Sequence, residues 1–101
     1  MFIVQLTYLT PLSEVDKYLR AHREFLDYHY KQGLLLFSGP MKPRTGGIII
    51  ANTNDREYLE SLFQKDPYFL AEIAEYNFIE FTPMMYRDEF KELIQKTEGK
   101  I

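Results

Sequence analysis

Two hydrophobic periods take turns along this chain, and the order of those turns limits what it can fold into. Residues 2–9 alternate at every second position, with Phe2, Val4, Leu6 and Tyr8 on one face and Ile3, Gln5, Thr7 and Leu9 on the other, which is the period of a strand. Pro11 closes it. Ser13, followed three residues later by Asp16, resembles a capping box with Asp in place of Glu, so a helix is expected from there. Val15, Tyr18, Leu19, His22, Phe25, Leu26 and His29 then recur at steps of three and four, a helical stripe that ends at Gly33. Residues 34–38 are too short an apolar run for a helix after a glycine stop, and predict a buried strand leading into Gly39 and Pro40. Pro43, Gly46 and Gly47 make a turn, and the β-branched run 48–51 is the returning strand. Asn52, Thr53 and Asn54 are cap candidates for a helix through Tyr58, Leu59, Leu62 and Phe63. That helix must stop before Asp66 and Pro67, because a residue preceding proline avoids the helical region. A short helical piece is expected within 67–74. Tyr76, Phe78 and Glu80 then alternate against Asn77, Ile79 and Phe81 until Pro83. Phe90, Leu93 and Ile94 lie at helical spacing among charges, so residues 87–101 predict an amphipathic helix with a frayed end.

The order is βαββαβ with a C-terminal helix, an α+β chain of ferredoxin-like topology whose two main helices cover one sheet face. Residues 1–86 are expected to form one domain, with 87–101 as its tail. The strands carry apolar residues on both faces, Ile3 and Leu9 opposite Val4 and Leu6, Ile79 and Phe81 opposite Phe78. A sheet with one wet face alternates more cleanly, so a second copy packing sheet to sheet about a two-fold axis is expected. Size argues the same way. A domain of 101 residues buries only about two thirds of its unfolded surface, yet 46% of this chain is hydrophobic and 16% aromatic, leaving apolar surface for a pocket or a partner.

The net charge of -3 is spread evenly, which argues against nucleic acid and anionic membranes as partners. No run approaches the roughly 20 apolar residues of a membrane span, and the first residues lack the basic start and cleavage site of a signal peptide, so a cytoplasmic location is expected. Without cysteine there is no disulfide, thiolate nucleophile or thiolate metal site. His22 and His29 stand seven residues apart, roughly 10 Å along a helix, too far for one metal ion. Arg44-Thr45-Gly46-Gly47 could meet an anion but matches neither the phosphate-loop nor the dinucleotide pattern. No metal and no organic cofactor are expected.

The residues that could carry chemistry also have ordinary readings. A histidine on an apolar helix stripe is commonly a core residue. His29, near the helix end, suits the dipole and the last carbonyls. Asp66 before Pro67 is a usual way to end one helix and begin a turn, and Ser38-Gly39-Pro40 marks a strand leaving its sheet. Together, however, His22-Arg23-Glu24-Phe25-Leu26, Gly33-Leu34-Leu35, Ser38-Gly39-Pro40, Gly46-Gly47-Ile48, Asp66-Pro67-Tyr68, and Phe81 with Pro83 resemble the YCII-related (YciI-like) family over residues 1–86; the tail is outside that pattern. The resemblance implies a dimeric α+β barrel, in a superfamily that also holds muconolactone isomerase and cofactor-free enzymes acting on small ring compounds. It implies an active-site pair at His22 and Asp66, and chemistry like dehydrochlorination of a chlorinated hydroxyquinol. Leu19 stands where some members carry arginine, so no anion contact is implied there, and Arg20 points elsewhere on the helix. The expected function is a cofactor-independent lyase or isomerase acting on a small cyclic or aromatic substrate. His22 would move the proton and Asp66 would hold its other ring nitrogen. Ser38, the Gly39 backbone and Tyr68 would orient the substrate, with Tyr8 and Phe37 walling the pocket. The other reading of the same fold is a non-catalytic dimeric module for a small ligand or a protein.

Overall fold

The alternating segments pair into one antiparallel sheet. The computed structural model of the chain describes residues 1–98. In chain order these form β1 (Phe2–Tyr8), α1 (Leu12–Val15), a 3₁₀ turn (Asp16–Tyr18), α2 (Leu19–Lys31), β2 (Leu35–Pro40), β3 (Gly46–Ala51), α3 (Arg56–Phe63), α4 (Pro67–Leu70), β4 (Ala74–Glu80), a second 3₁₀ turn (Asp88–Phe90) and α5 (Lys91–Glu98). The expected tail helix extends in part beyond residue 98, outside the described residues. The strand order is β2-β3-β1-β4 and every neighbouring pair is antiparallel, the ferredoxin-like arrangement. Phe2, Val4 and Leu6 of β1 face the helices, opposite Ala51, Ile49 and Gly47 of β3 and Glu80, Phe78 and Tyr76 of β4. Leu26 of α2 and Leu59, Leu62 and Phe63 of α3 close over them in one buried cluster. Among the described residues no helix is long and apolar enough to cross a membrane.

Two glycines are demanded by geometry. Gly33 ends α2 at φ +81°, a left-handed conformation that side chains resist. A Cβ on Gly46 would stand 1.8 Å from the carbonyl oxygen of Leu6, so this close approach of β3 to β1 admits only glycine.

Several local expectations give way to tertiary contacts. The first helix does not begin with a capping box: Pro11 precedes α1 with no side-chain cap, and Asp16 turns its carboxylate to Arg44 at 2.7 Å instead. The helical stripe is interrupted by the 3₁₀ turn, where Tyr18 leaves the helical region at φ -109°, ψ 1°. Asp55, not Asn52, Thr53 or Asn54, caps α3 by accepting the Tyr58 N–H. The two asparagines are occupied elsewhere: their amides donate to Leu93 O and Thr97 O, and the Thr97 hydroxyl donates back to Asn52 O, which with buried Ile94 docks α5. His29 does not cap the helix, and its surroundings work against the charge that would suit the dipole. Its Nδ1 is buried without a partner among the described residues, and burial, helped by the nearby Lys65 charge, pushes its pKa down. A bulge at Leu36 lets Leu35 pair with Ala51 on the helix face and Phe37 with Ile50 on the opposite face.

Candidate active site

The sequence brings His22 and Asp66 to one point from two directions. His22 lies on the buried stripe of α2, at the level of Leu26 one turn on. Asp66 ends the α3 segment and caps α4, where Pro67 fills the first helical position that needs no N–H and the Asp66 carboxylate accepts from Tyr68 N at 3.1 Å. Asp66-Pro67 does end one helix, as its ordinary reading has it, and opens the next by capping it, and the same carboxylate has a second partner. His22 Nδ1 is 2.8 Å from Asp66 Oδ1 and 3.0 Å from Oδ2, a hydrogen-bonding contact that becomes an ion pair when the imidazole is protonated, with Asp66 0% exposed and His22 8%. The Tyr76 hydroxyl donates to Oδ2 at 2.7 Å.

These partners assign the tautomer. A carboxylate only accepts, so Nδ1 must carry the imidazole proton, and Nε2 is left with its lone pair as the basic nitrogen. Burial and the Asp66 charge raise the Tyr76 phenol far above its ordinary pKa, so Tyr76 stays a fixed donor. The His22 ring stacks on Tyr68 with centroids 3.9 Å apart and planes 5° from parallel, which leaves it little freedom to tilt. Tyr8 meets Tyr68 edge-on at 6.1 Å.

This stack forms one wall of a cavity of about 440 Å³ between α2, the β2–β3 hairpin and the end of β1, a volume suited to a small organic molecule. Leu6, Leu19, Leu26 and Ile49 supply apolar lining; His22, Ser38, Gly39, Tyr8, Tyr68, Arg23 and Arg44 also face it. Tyr30 donates its hydroxyl proton to Ser38 Oγ at 2.5 Å, leaving the serine proton for a ligand. Among the described residues no three His, Asp or Glu side chains gather as metal ligands would.

The YCII-related domain model matches residues 1–82. The chain belongs to the YCII-related family. No curated protein matches it in sequence. Among solved structures its fold is similar to that of 5-chloro-2-hydroxyhydroquinone dehydrochlorinase from Burkholderia phenoliruptrix AC1100, in complex with 2,5-dihydroxybenzoquinone. The TM-score is 0.66 and the identity 17%, over 80% of this chain and 93% of that one. At this identity the likeness establishes the fold.

Within this YCII-related fold, His22, Ser38, Gly39, Tyr68 and Tyr8 are brought to one cavity, with Asp66 behind His22. Phe37 is not among them. The Leu36 bulge turns it to the open sheet face, where it is 59% exposed, so its place as a pocket wall is corrected. Tyr76 and Arg44 were not singled out as site residues in the sequence. Tyr76 reads there as one aromatic in an alternating strand, and Arg44 as a loop cation with only a weak anion signal.

Proposed function

We propose that this YCII-related protein is a cofactor-independent lyase or isomerase that moves protons on a small cyclic or aromatic substrate, working as a cytoplasmic homodimer. The observation that carries the reading is the His22 imidazole, fixed through Nδ1 by a buried carboxylate while its ring lines the cavity. Nε2 would accept a proton from a ring carbon or hydroxyl and return it elsewhere. Asp66 would stabilise the imidazolium between the two steps, without itself taking the proton. Ser38, the Gly39 backbone and Tyr68 would set the ring's orientation, and the apolar lining would keep water from competing. The dehydrochlorinase of similar fold supports a hydroxylated ring as the substrate class. For a chlorinated hydroxyquinol, two hydroxyl protons leave the ring, one proton returns to the chlorine-bearing carbon, and chloride departs, so that HCl is lost in all.

The test uses 5-chloro-2-hydroxyhydroquinone and related hydroxylated rings, with chloride release and ring absorbance as readouts. Wild type should turn over at least one of them, and His22→Gln should slow that by about 10² to 10⁴-fold, the range of a positioned general base. Binding without turnover, unchanged in His22→Gln, would replace this reading with the non-catalytic module.

A further inference from the structure

The cavity has a charge that the His22–Asp66 pair does not use. Of the residues lining it, Arg23 and Arg44 are cationic and none is acidic, although the chain as a whole carries -3. Arg44 reaches it from the loop between β2 and β3. Its side chain is half-buried, its guanidinium carbon lies 5.8 Å from the centre of the Tyr8 ring, and Asp16 holds Nη2 at 2.7 Å. That contact takes one of five N–H groups and orients the planar fork without exhausting it. Asp16 and Tyr8 both raise the guanidinium pKa further, so the group remains a cation at any working pH.

A second observation points to the same ligand chemistry. Tyr68 is 1% exposed, lines the cavity, and keeps a buried hydroxyl with no partner among the described residues. Buried hydroxyls are ordinarily hydrogen-bonded, so this one is suited to donate to a ligand oxygen. Burial, with Tyr8 and the Asp66 carboxylate nearby, pushes this phenol up to about 12, and it would meet a ligand as a donor. Tyr8 stands between the two, edge-on to the Tyr68 ring at 6.1 Å and 5.8 Å from the Arg44 guanidinium carbon, which sets cation and donor in one neighbourhood.

We propose that Arg44 and the Tyr68 hydroxyl form an oxyanion subsite in this cavity, and that the protein selects small anionic ring compounds, carboxylates or phenolates, over neutral ones of the same shape. This deepens the proton-transfer reading and rests on it only for what happens after binding. Held by one oxygen at Arg44, the ring would lie between the Tyr68–His22 stack and the apolar wall, with Nε2 beside it.

Benzoate and benzamide share a shape and differ in charge, so titrating each into the full-length protein isolates the subsite. Wild type should prefer benzoate by at least about tenfold, as a charge-assisted hydrogen bond predicts. Arg44→Met should erase that preference while leaving benzamide binding in place, and Arg44→Lys should retain part of it. A measurement on unaltered protein guards against a misfolded variant: the Arg44 Nε–H resonance should move with benzoate and stay still with benzamide. Equal binding of the two, a preference that survives Arg44→Met, or no saturable benzoate binding at millimolar concentration would overturn the subsite. The two readings fail separately. Turnover lost in His22→Gln without any anion preference would leave proton transfer standing and remove the subsite, and anion preference without turnover would do the reverse.

Discussion

Asp66 serves a helix and a histidine with one carboxylate, and its substitutions should separate the two services. Asp66→Ala strips the acceptor from the Tyr68 N–H, the His22 Nδ1–H and the Tyr76 hydroxyl, all gathered about a fully buried position. It should cost about 3 kcal/mol or more in urea unfolding. Asp66→Asn keeps an oxygen for Tyr68 N and His22 Nδ1, and its amide can donate to a reoriented Tyr76 hydroxyl, so stability should fall far less. Turnover should still drop by about 10²-fold or more, because the charge that favours the imidazolium is gone. If the Asn variant unfolds as easily as the Ala variant, the negative charge belongs to the fold. His29 carries a different prediction. Its folded pKa lies below the unfolded value, through burial first and Lys65 second. Above about pH 7.5 both states are neutral and it contributes nothing; as pH falls through about 6.5 the unfolded chain takes the proton first, so stability declines. Urea midpoints measured at about pH 7.5 and about pH 5.5 should therefore differ more in wild type than in His29→Gln, and an equal difference would deny His29 this part. The residue types needed for a proton-transfer pair were visible in the sequence. Their meeting was expected from the family resemblance alone, because no local pattern encodes it: only the packing of α2 on the α3–α4 corner brings position 22 to position 66.

At the scale of elements, periodicity reported the strands and helices well and the joints between them poorly. Every joint that departs from expectation is one where a distant segment competes for a local group. Asp16 leaves its expected capping position for Arg44, and Asn52 and Asn54 leave α3 to hold α5. No local pattern encodes those partners. The Leu36 bulge is of the same kind: residues 34–37 form an unbroken apolar run, so nothing in it says which face Phe37 takes. Ile50, opposite it across the pair, decides that. Gly46 is the joint with the sharpest consequence. Its absent side chain lets β3 lie against the Leu6 carbonyl, and the same hairpin carries Arg44 into the cavity. Gly46→Ala should destabilise by about 3 kcal/mol or more and disturb the β1–β3 pairing. Gly39→Ala is the control, since a Cβ there meets nothing within 4 Å and the fold should barely notice it. Thermal melts of the two variants side by side check this, and equal tolerance would mean that β3 can move off β1 at little cost.

For the whole molecule, the sheet face turned away from the helices is the feature that a single chain leaves unfinished. Phe37, Ile50, Ile3 and Ile79 stand opposite one another in register, one residue from each strand, as an apolar row across the full width of the sheet. Phe37 is 59% exposed and Ile79 42% exposed. The next row, Gly39, Ile48, Gln5 and Asn77, turns polar toward β4, so the apolar part is a stripe with a wet margin. Apolar surface of this kind on a small domain is ordinarily covered, and a second copy meeting it about a two-fold axis covers both stripes with one contact. The cavity lies on the helix side of the same sheet, so pairing would leave it open while stiffening the strands that carry Ser38 and Gly39. The expected outcome is a dimer at micromolar concentration by sedimentation velocity. Ile79→Glu then tests the face itself. Because Ile79 is exposed within one chain, the variant should keep its fold, with a monomer stability changed by about 0.5 kcal/mol or less, while the dimer dissociates, since pairing would bury an uncompensated charge. A folded wild-type monomer at that concentration would remove the dimer. An Ile79→Glu protein that still sediments as a dimer would move the interface to another surface, and the stripe would then need a different occupant.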